Sequence, residues 1–127
     1  MKLKPVAVVR NGIVEDPNDW DSIRSELIFK KQYVEGLYKL SHFGHVWVIF
    51  GFHRQKGTML KVHPMHDPSR PIVGVFATCS PTRPNKLGLT LVELLSVRGN
   101  VVAVKGLDAF DGSPVYDIKP YEPEIDY

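Results

Sequence analysis

The stretch HVWVIFGFH, which runs from His45 to His53, decides the fold of this chain. Its β-branched and aromatic residues are typical of a buried strand. Further apolar or alternating runs on both sides of it predict strands at 3–9, 26–31, 58–63, 72–78, 89–97 and 101–107. The last two runs flank Arg98-Gly-Asn100, which predicts a hairpin turn.

Helical signals are few by comparison. Residues 33–40 have room for about two turns, interrupted by Gly36, and ten prolines and ten glycines divide the chain into short elements. Closing an antiparallel sheet into a barrel removes its exposed strand edges. The sequence therefore predicts a mainly β, single-domain antiparallel β-barrel over residues 1–127, with at most one short helix.

Composition indicates the class of protein. Apolar residues make up 43% of the 127 residues and charged residues 24%, which are values of a globular chain. No apolar run is long enough to span a bilayer, and the N-terminus leads into strand-like sequence and not into a signal peptide. The single cysteine, Cys79, fits a reducing compartment. We expect a cytoplasmic protein without a membrane partner.

The net charge of +2 conceals an asymmetry. Residues 108–127 carry six acidic side chains and one basic one, whereas residues 1–107 carry a net charge of +7. A basic body with an acidic C-terminal segment can meet a polyanion on one face. Charged side chains that are simply exposed to solvent, with no polyanionic partner, explain the same numbers equally well.

A proline-rich loop, FATCSPTRPNKLG at residues 76–88, separates two of the predicted strands. Proline fixes its own φ and pushes the residue before it toward extended conformations. We expect a rigid loop that projects Arg83 and Asn85, the first suited to a carboxylate or phosphate and the second to an amide-like edge. The alternative is a stiff connector with a surface arginine.

Two acidic motifs follow near the C-terminus. Asp108 and Asp111 lie three residues apart in a predicted turn, where carboxylates can hold ribose hydroxyls, offset a cation or accept a proton. An ordinary Asp-Gly turn is the alternative. The segment Asp117-Ile-Lys-Pro-Tyr121 can orient an acid, a base and an aromatic ring toward a cleft, or form an ordinary edge segment.

The histidines and the cysteine offer weaker candidates. His42 with His45, and His63 with His66, have spacings that suit zinc, but neither pair has a thiolate nearby, and we expect no metal site. His53 ends the longest apolar run and suits the rim of a ligand pocket. No catalytic-cysteine signature surrounds Cys79, and no phosphate-binding glycine motif occurs.

Together these segments resemble one family. The matching segments lie at 5–10, 33–37, 40–47, 53, 73–78, 80–81, 83–85, 88–89, 107–108, 111–112, 114–115 and 117–121. Over nearly its whole length the chain resembles the TsaA-like, or TrmO, family of tRNA methyltransferases. The resemblance implies a β-barrel that is usually a homodimer, S-adenosylmethionine as methyl donor, and methylation at N6 of threonylcarbamoyladenosine beside the tRNA anticodon.

The resemblance also implies site residues. Cofactor contacts would come from His53, Arg54, Cys79, Leu89, Asp108, Ala109, Phe110 and Asp111. Because methyl transfer from a sulfonium is an in-line displacement, alignment of the reactants is the main contribution of the protein. Candidate catalytic residues are Asp111 and Asp117, either of which is a plausible proton acceptor, and Arg83. Candidate substrate-binding residues are Arg83, Asn85, Lys119 and Tyr121.

The chain departs from the family pattern in its loop. The family usually has ATRSPHRPNPIG, but here Cys79 replaces the first arginine, Thr82 the histidine, and Lys86-Leu87 the Pro-Ile. A Pro-Arg-Gln cofactor element of the family has no clear counterpart between residues 16 and 25. Two alternatives therefore stay open: a non-catalytic nucleotide- or RNA-binding module, and a methyltransferase with a different substrate.

Overall fold

Eight strands account for most of the regular structure in the computed structural model, which describes residues 1–123. They are β1 (Ala7–Arg10), β2 (Arg24–Phe29), β3 (His45–Gly51), β4 (Lys61–Val62), β5 (Val73–Gly74), β6 (Leu87–Arg98), β7 (Val101–Lys105) and β8 (Pro114–Pro120). Six of them close into an antiparallel barrel in the order β1-β2-β7-β6-β3-β8, and β4 pairs with β5. The predicted mainly β barrel is confirmed.

The main differences from the sequence prediction concern short strands. The runs at 58–63 and 72–78 form strands of only two residues each, β4 and β5. These two strands pair with one another and stand outside the barrel. Conversely, β8 lies where the sequence indicated an edge segment. It closes the barrel by pairing with β1 on one side and β3 on the other.

The predicted short helix is present as a 3₁₀ helix, Lys31–Leu37. Four further 3₁₀ segments are single turns of three residues, at Trp20–Ser22, Leu40–His42, Pro64–His66 and Val75–Ala77. Within residues 1–123 no helix has the length and apolar character needed to cross a membrane.

Strand alternation builds the core. Along β3, Val46, Val48 and Phe50 point inward and are buried, while Trp47 and Ile49 point to the outer face. Inward residues of the other strands complete one apolar cluster: Val9, Leu27, Val92, Val102, Val104 and Val115. Burying each of these side chains stabilises the fold by about 1.5–3 kcal/mol.

The barrel has two distinct ends. The hairpin at Gly99, which has a φ of 59°, and the 3₁₀ helix after β2 lie at one end. The opposite end, called the cavity end below, receives the segments that follow β1, β3 and β7 and those that precede β2, β6 and β8. The predicted acidic segment also continues past residue 123, and its Glu124 and Asp126 lie outside the described residues.

Candidate functional site

A cavity of about 430 Å³ opens at the cavity end of the barrel. Six of the eight predicted cofactor residues line it: His53, Arg54, Cys79, Asp108, Ala109 and Phe110. They come from three segments that are distant in sequence, namely the exit of β3, the proline-rich loop and the β7–β8 connection. The fold therefore assembles one concave site from the motifs that the sequence singled out separately.

The cavity is also lined by residues that the sequence did not predict for the site. They are Asp16, Trp20, Phe50, Phe52, Gln55, His66, Pro81 and Ser113. Asp16 and Trp20 belong to the segment in which no cofactor element was found. The large aromatic side chain of Trp20, in a mostly polar stretch, is the one signal in the sequence for this part of the cavity lining.

Aromatic rings form one wall of the cavity. Trp20 meets Phe110 edge to face, with the ring centroids 5.5 Å apart. The guanidinium carbon of Arg54 lies 4.4 Å from the centroid of the Phe110 ring, and Arg54 Nη1 donates a hydrogen bond to the carbonyl oxygen of Val14. Because Arg54 is held on both sides, this wall is largely preformed.

His53, an exposed residue of the cavity lining, contacts the buried hydroxyl of Ser113. The hydroxyl of Ser113 donates to the carbonyl oxygen of Phe110 at 2.7 Å, so its single hydrogen is used there. The 3.3 Å contact between Ser113 Oγ and His53 Nδ1 is therefore satisfied when Nδ1 carries the proton and donates. In the neutral ring this assignment leaves Nε2 of His53 as an acceptor.

The two carboxylates of the β7–β8 connection have different environments. Asp108 lines the cavity, and its Oδ1 accepts a hydrogen bond from the hydroxyl of Thr90 at 2.6 Å. Asp111 Oδ1 instead accepts from the backbone N–H groups of Asn11 and Gly12, at 2.9 and 3.0 Å. These hydrogen bonds hold the pKa of the Asp111 carboxyl below its usual value, so this carboxylate is a weak base.

Asn11 is a further structural residue of the site that the sequence analysis missed. Its side-chain amide donates to Ser25 Oγ at 2.9 Å and to the carbonyl oxygen of Ala109 at 3.0 Å. It thereby ties the end of β1 to the cavity wall. The signal for it was the turn dipeptide Asn11-Gly12, in which Gly12 has a φ of 72°.

Arg83 is turned inward, unlike the outward projection expected from the sequence. Its Nη1 donates to the carbonyl oxygens of Val75, Thr78 and Ser80, at 3.3, 2.7 and 3.2 Å. The guanidinium therefore fixes the loop from within. Asn85 is exposed on the same loop, and ligand contacts by either residue stay a prediction.

The remaining predicted residues gather on the outside of the barrel. Leu89 and Asp117 pair with Ile49 from opposite sides, and Lys119 pairs with Trp47, so their side chains share the outer face of β3. Tyr121 meets Trp47 edge to face at 6.3 Å. The surface formed by these residues is called the β3 outer face below. It is separate from the cavity lining.

Neither histidine pair is joined by a third metal-binding side chain in the described part of the chain. His63 Nδ1 lies 2.8 Å from the carbonyl oxygen of Arg70 and so serves the loop structure. Across residues 1–123, no three His, Cys, Asp or Glu side chains are grouped closely enough to hold a metal ion.

Comparison with known sequences gives consistent matches. The family model described as the tRNA-methyltransferase O N-terminal domain matches residues 7–127. An S-adenosyl-L-methionine-binding protein of Archaeoglobus fulgidus is 39% identical over 132 residues, covering 99% of this chain and 93% of that protein. The human tRNA (adenine(37)-N6)-methyltransferase is 37% identical over 123 residues, covering 92% of this chain but 28% of that enzyme.

The fold is also similar to that of solved structures. A crystal structure of TrmO from Pseudomonas aeruginosa superposes with a TM-score of 0.78 at 30% sequence identity, covering 99% of this chain and 58% of that one. The chain thus spans nearly all of the archaeal relative, little more than half of the Pseudomonas protein and about a quarter of the human enzyme.

Proposed function

The chain belongs to the family of tRNA-methyltransferase O N-terminal domains, and we propose that it transfers a methyl group from S-adenosylmethionine to an adenosine of tRNA. The observation that supports this most directly is the cavity, which collects six of the eight cofactor residues implied by the family resemblance. The names of the archaeal and human relatives support the cofactor and the substrate class, respectively.

The residues of the cavity fit S-adenosylmethionine. A volume of about 430 Å³ is in the usual range for small-molecule sites. The rings of Trp20 and Phe110 offer apolar faces that suit both a base and a sulfonium cation, and the carboxylate of Asp108 suits ribose hydroxyls or positive charge. Once bound, the donor supplies an electrophilic methyl group, and the contribution of the protein is to align it with the acceptor.

Cys79 replaces the family arginine at the cavity edge, so a positive charge beside the cofactor has to come from another side chain. Arg54 is the arginine of the cavity lining, and its guanidinium lies above the ring of Phe110. We propose that Arg54 takes over the electrostatic role of the missing arginine. Lys86 is less suitable because its amine donates to the carbonyl oxygen of Arg83 and to Thr58 Oγ1.

The proposed acceptor atom is N6 of threonylcarbamoyladenosine beside the anticodon. The proton on N6 must leave during transfer, and conjugation with the carbamoyl group makes that easier. Asp111 is a weak base for this step because two backbone N–H groups stabilise its charge, so it acts by positioning the end of β1. Asp117 is the other acceptor predicted from the sequence, but it lies on the β3 outer face and not in the cavity lining.

We also propose that the protein is a homodimer that associates through the β3 outer face. Leu89 is 61% exposed there, beside Ile49, Trp47 and Leu91, and an exposed apolar patch of this kind favours association. Asp117, Lys119 and Tyr121 would then lie at the interface. A Leu89→Asp variant should elute as a monomer in size-exclusion chromatography at a concentration where the wild type elutes as a dimer.

Residues 1–127 are further proposed to form one domain, because the six barrel strands surround one apolar core. A tRNA substrate also favours a cytoplasmic location. Both proposals can be checked directly, the first by a single cooperative unfolding transition and the second by fractionation of cells that produce the protein.

Two measurements test the proposed activity. Calorimetric titration with S-adenosylmethionine should show saturable binding in the micromolar range, about −8 kcal/mol. Incubation with tRNA that lacks the methyl group, followed by nuclease digestion and mass analysis, should then reveal one added methyl group on the modified adenosine. Binding without transfer to any tRNA would favour a different substrate, and no binding with or without tRNA would favour a non-catalytic module.

A further inference from the structure

The segment 53–86, which carries the β4–β5 ribbon and the proline-rich loop at the cavity end, differs in charge from the rest of the protein. It contains six basic side chains and one acidic one, Asp67. The basic residues are Arg54, Lys56, Lys61, Arg70, Arg83 and Lys86. Most of the +7 charge of residues 1–107 is therefore concentrated beside the cavity.

The same segment exposes several large apolar side chains. They are Met59, Leu60, Met65, Ile72 and Phe76. Basic charge interleaved with exposed apolar and aromatic side chains is the surface that binds single-stranded nucleic acid, because the cations follow the phosphates and the rings stack on bases. A surface that only solvates the protein does not need these apolar residues.

Two further depressions adjoin the cavity on the side of this surface, because they share lining residues with it and with one another. The cavity shares His66, Cys79 and Pro81 with a second depression of about 400 Å³. That depression shares His63 and His66 with a third of about 400 Å³. The third depression is bounded by Met59, Lys61 and Ile72. The second and third depressions together are called the loop groove, and His66 lines all three spaces.

Phe76 is an exposed aromatic residue on a rigid support, and it is the chain neighbour of a residue that lines the loop groove. The residue is 76% exposed, and the next residue, Ala77, lines the second depression. The guanidinium of Arg83 lies 5.9 Å from the ring centroid, while its Nη1 binds the carbonyl oxygens on both sides of Phe76 in the chain. A ring that is held in place loses little conformational entropy when it stacks on a ligand.

We propose that the loop groove binds the unpaired nucleotides that flank the target adenosine, with Phe76 stacking on a base and Lys61 contacting a phosphate. This inference rests on the proposed function, since it gives the RNA loop a path into the same cavity. Unpaired bases are the elements of RNA that aromatic side chains recognise, because their faces and edges are accessible. A base-paired stem offers no such faces, so the groove selects for a loop.

The test uses a fluorescently labelled RNA hairpin with the sequence of a tRNA anticodon arm and a fully paired duplex of the same composition. Anisotropy titrations of the full chain should show tighter binding of the hairpin. Phe76→Ala should weaken hairpin binding about tenfold, because stacking of one base contributes of that order, and should leave duplex binding unchanged. Lys61→Ala should weaken both and reduce the salt dependence by about one phosphate contact.

Matched controls lie at the other end of the barrel. Tyr38 is an exposed aromatic residue, 82% accessible, that borders a depression with Gly99, and Lys31 is an exposed lysine at the start of the 3₁₀ helix that follows β2. Tyr38→Ala and Lys31→Ala should bind the hairpin as the wild type does. If Phe76→Ala and Lys61→Ala also bind it with wild-type affinity, the loop groove is not the RNA site.

Titration with S-adenosylmethionine separates this inference from the proposed function. Both groove variants should keep wild-type affinity for S-adenosylmethionine, because neither residue lines the cavity. If the wild type does not bind S-adenosylmethionine, the proposed function is contradicted. The hairpin titration would still test whether the loop groove binds RNA. A wild type that binds cofactor but not the hairpin, even at low salt, would overturn the groove proposal and favour a protein ligand for this surface.

Discussion

Arg83 Nη1 donates a hydrogen bond to the carbonyl oxygen of Thr78 at 2.7 Å, so the arginine of the proline-rich loop binds the backbone of its own loop. The prolines restrict the backbone conformation of the loop. The guanidinium of Arg83 links the carbonyl oxygens of Val75, Thr78 and Ser80 by hydrogen bonds. The loop that places Cys79 on the cavity is therefore organised around a half-buried cation.

Replacement of Arg83 by Ala should destabilise the protein. Hydrogen bonds from a charged donor contribute about 1.5–3 kcal/mol each, less where water reaches them, and we expect a loss of about 1–3 kcal/mol in urea unfolding. Arg70→Ala is the matched control. Arg70 makes one exposed ion pair, with Asp67 at 3.7 Å, so its removal should destabilise the protein much less than removal of Arg83. Wild-type stability in Arg83→Ala, together with lost ligand binding, would instead support the direct ligand contact predicted from the sequence.

Cys79 provides a chemical probe of the cavity. It is the single cysteine of the chain, it is exposed, and it lines the cavity. We expect S-adenosylmethionine to slow its alkylation by iodoacetamide several-fold in the folded protein, measured by intact mass. In denaturant the cofactor should not change the alkylation rate, which controls for a direct reaction between the cofactor and iodoacetamide. Equal alkylation rates with and without saturating cofactor would show that the ligand does not cover this edge.

The sequence predicted the barrel because its long strands carry local signals. The β-branched and aromatic run of β3 and the hairpin signal at Gly99 are properties of neighbouring residues, and both elements form as predicted. The sequence did not predict β8, which begins and ends with proline and reads as an edge segment. Its role depends on the closure of the barrel between β1 and β3, which no local pattern encodes.

The site was predicted only in part for a similar reason. The family resemblance located six residues that line the cavity, but it could not distinguish the inner from the outer face of a strand. Leu89 and Asp117 were assigned to the same site as Asp108, yet their pairing with Ile49 puts them on the β3 outer face. Likewise the direction of Arg83 depends on three carbonyls whose positions exist only in the folded loop.

Gly88 should be intolerant of a side chain because it packs against the ring of Phe50. A Cβ at this position would lie 2.5–2.9 Å from three atoms of that ring, which is buried in the core and forms part of the cavity lining. Gly88→Ala should therefore displace Phe50, cost about 1–3 kcal/mol in urea unfolding, and weaken cofactor binding. Gly36→Ala is the control, because a Cβ there meets no atom within 4 Å. If Gly88→Ala unfolds with the same free energy as the wild type, the ring of Phe50 can move away without loss of stability.

The carboxylate of Asp111 should make stability depend on pH in the acid range. Its folded-state pKa is lowered by the N–H groups of Gly12 and Asn11, so its contribution is fully present above the unfolded pKa of about 3.9 and is lost as the pH falls through the folded value. Asp111→Ala should lower the free energy of unfolding by about 1 kcal/mol at pH 7, since two backbone donors lose their acceptor. The difference in free energy of unfolding between the wild type and Asp111→Ala should shrink as the pH falls below about 5 and through the lowered folded-state pKa.

Exposed Asp21 supplies the control for removing one negative charge. Asp21→Ala should follow the wild-type curve of unfolding free energy against pH. A constant difference between Asp111→Ala and the wild type at every pH would mean that the substitution acts through packing and not through the charge. Since Asp111 holds Asn11, and Asn11 in turn holds the carbonyl of Ala109 in the cavity wall, cofactor affinity should weaken over the same acid range in the wild type but not in Asp111→Ala.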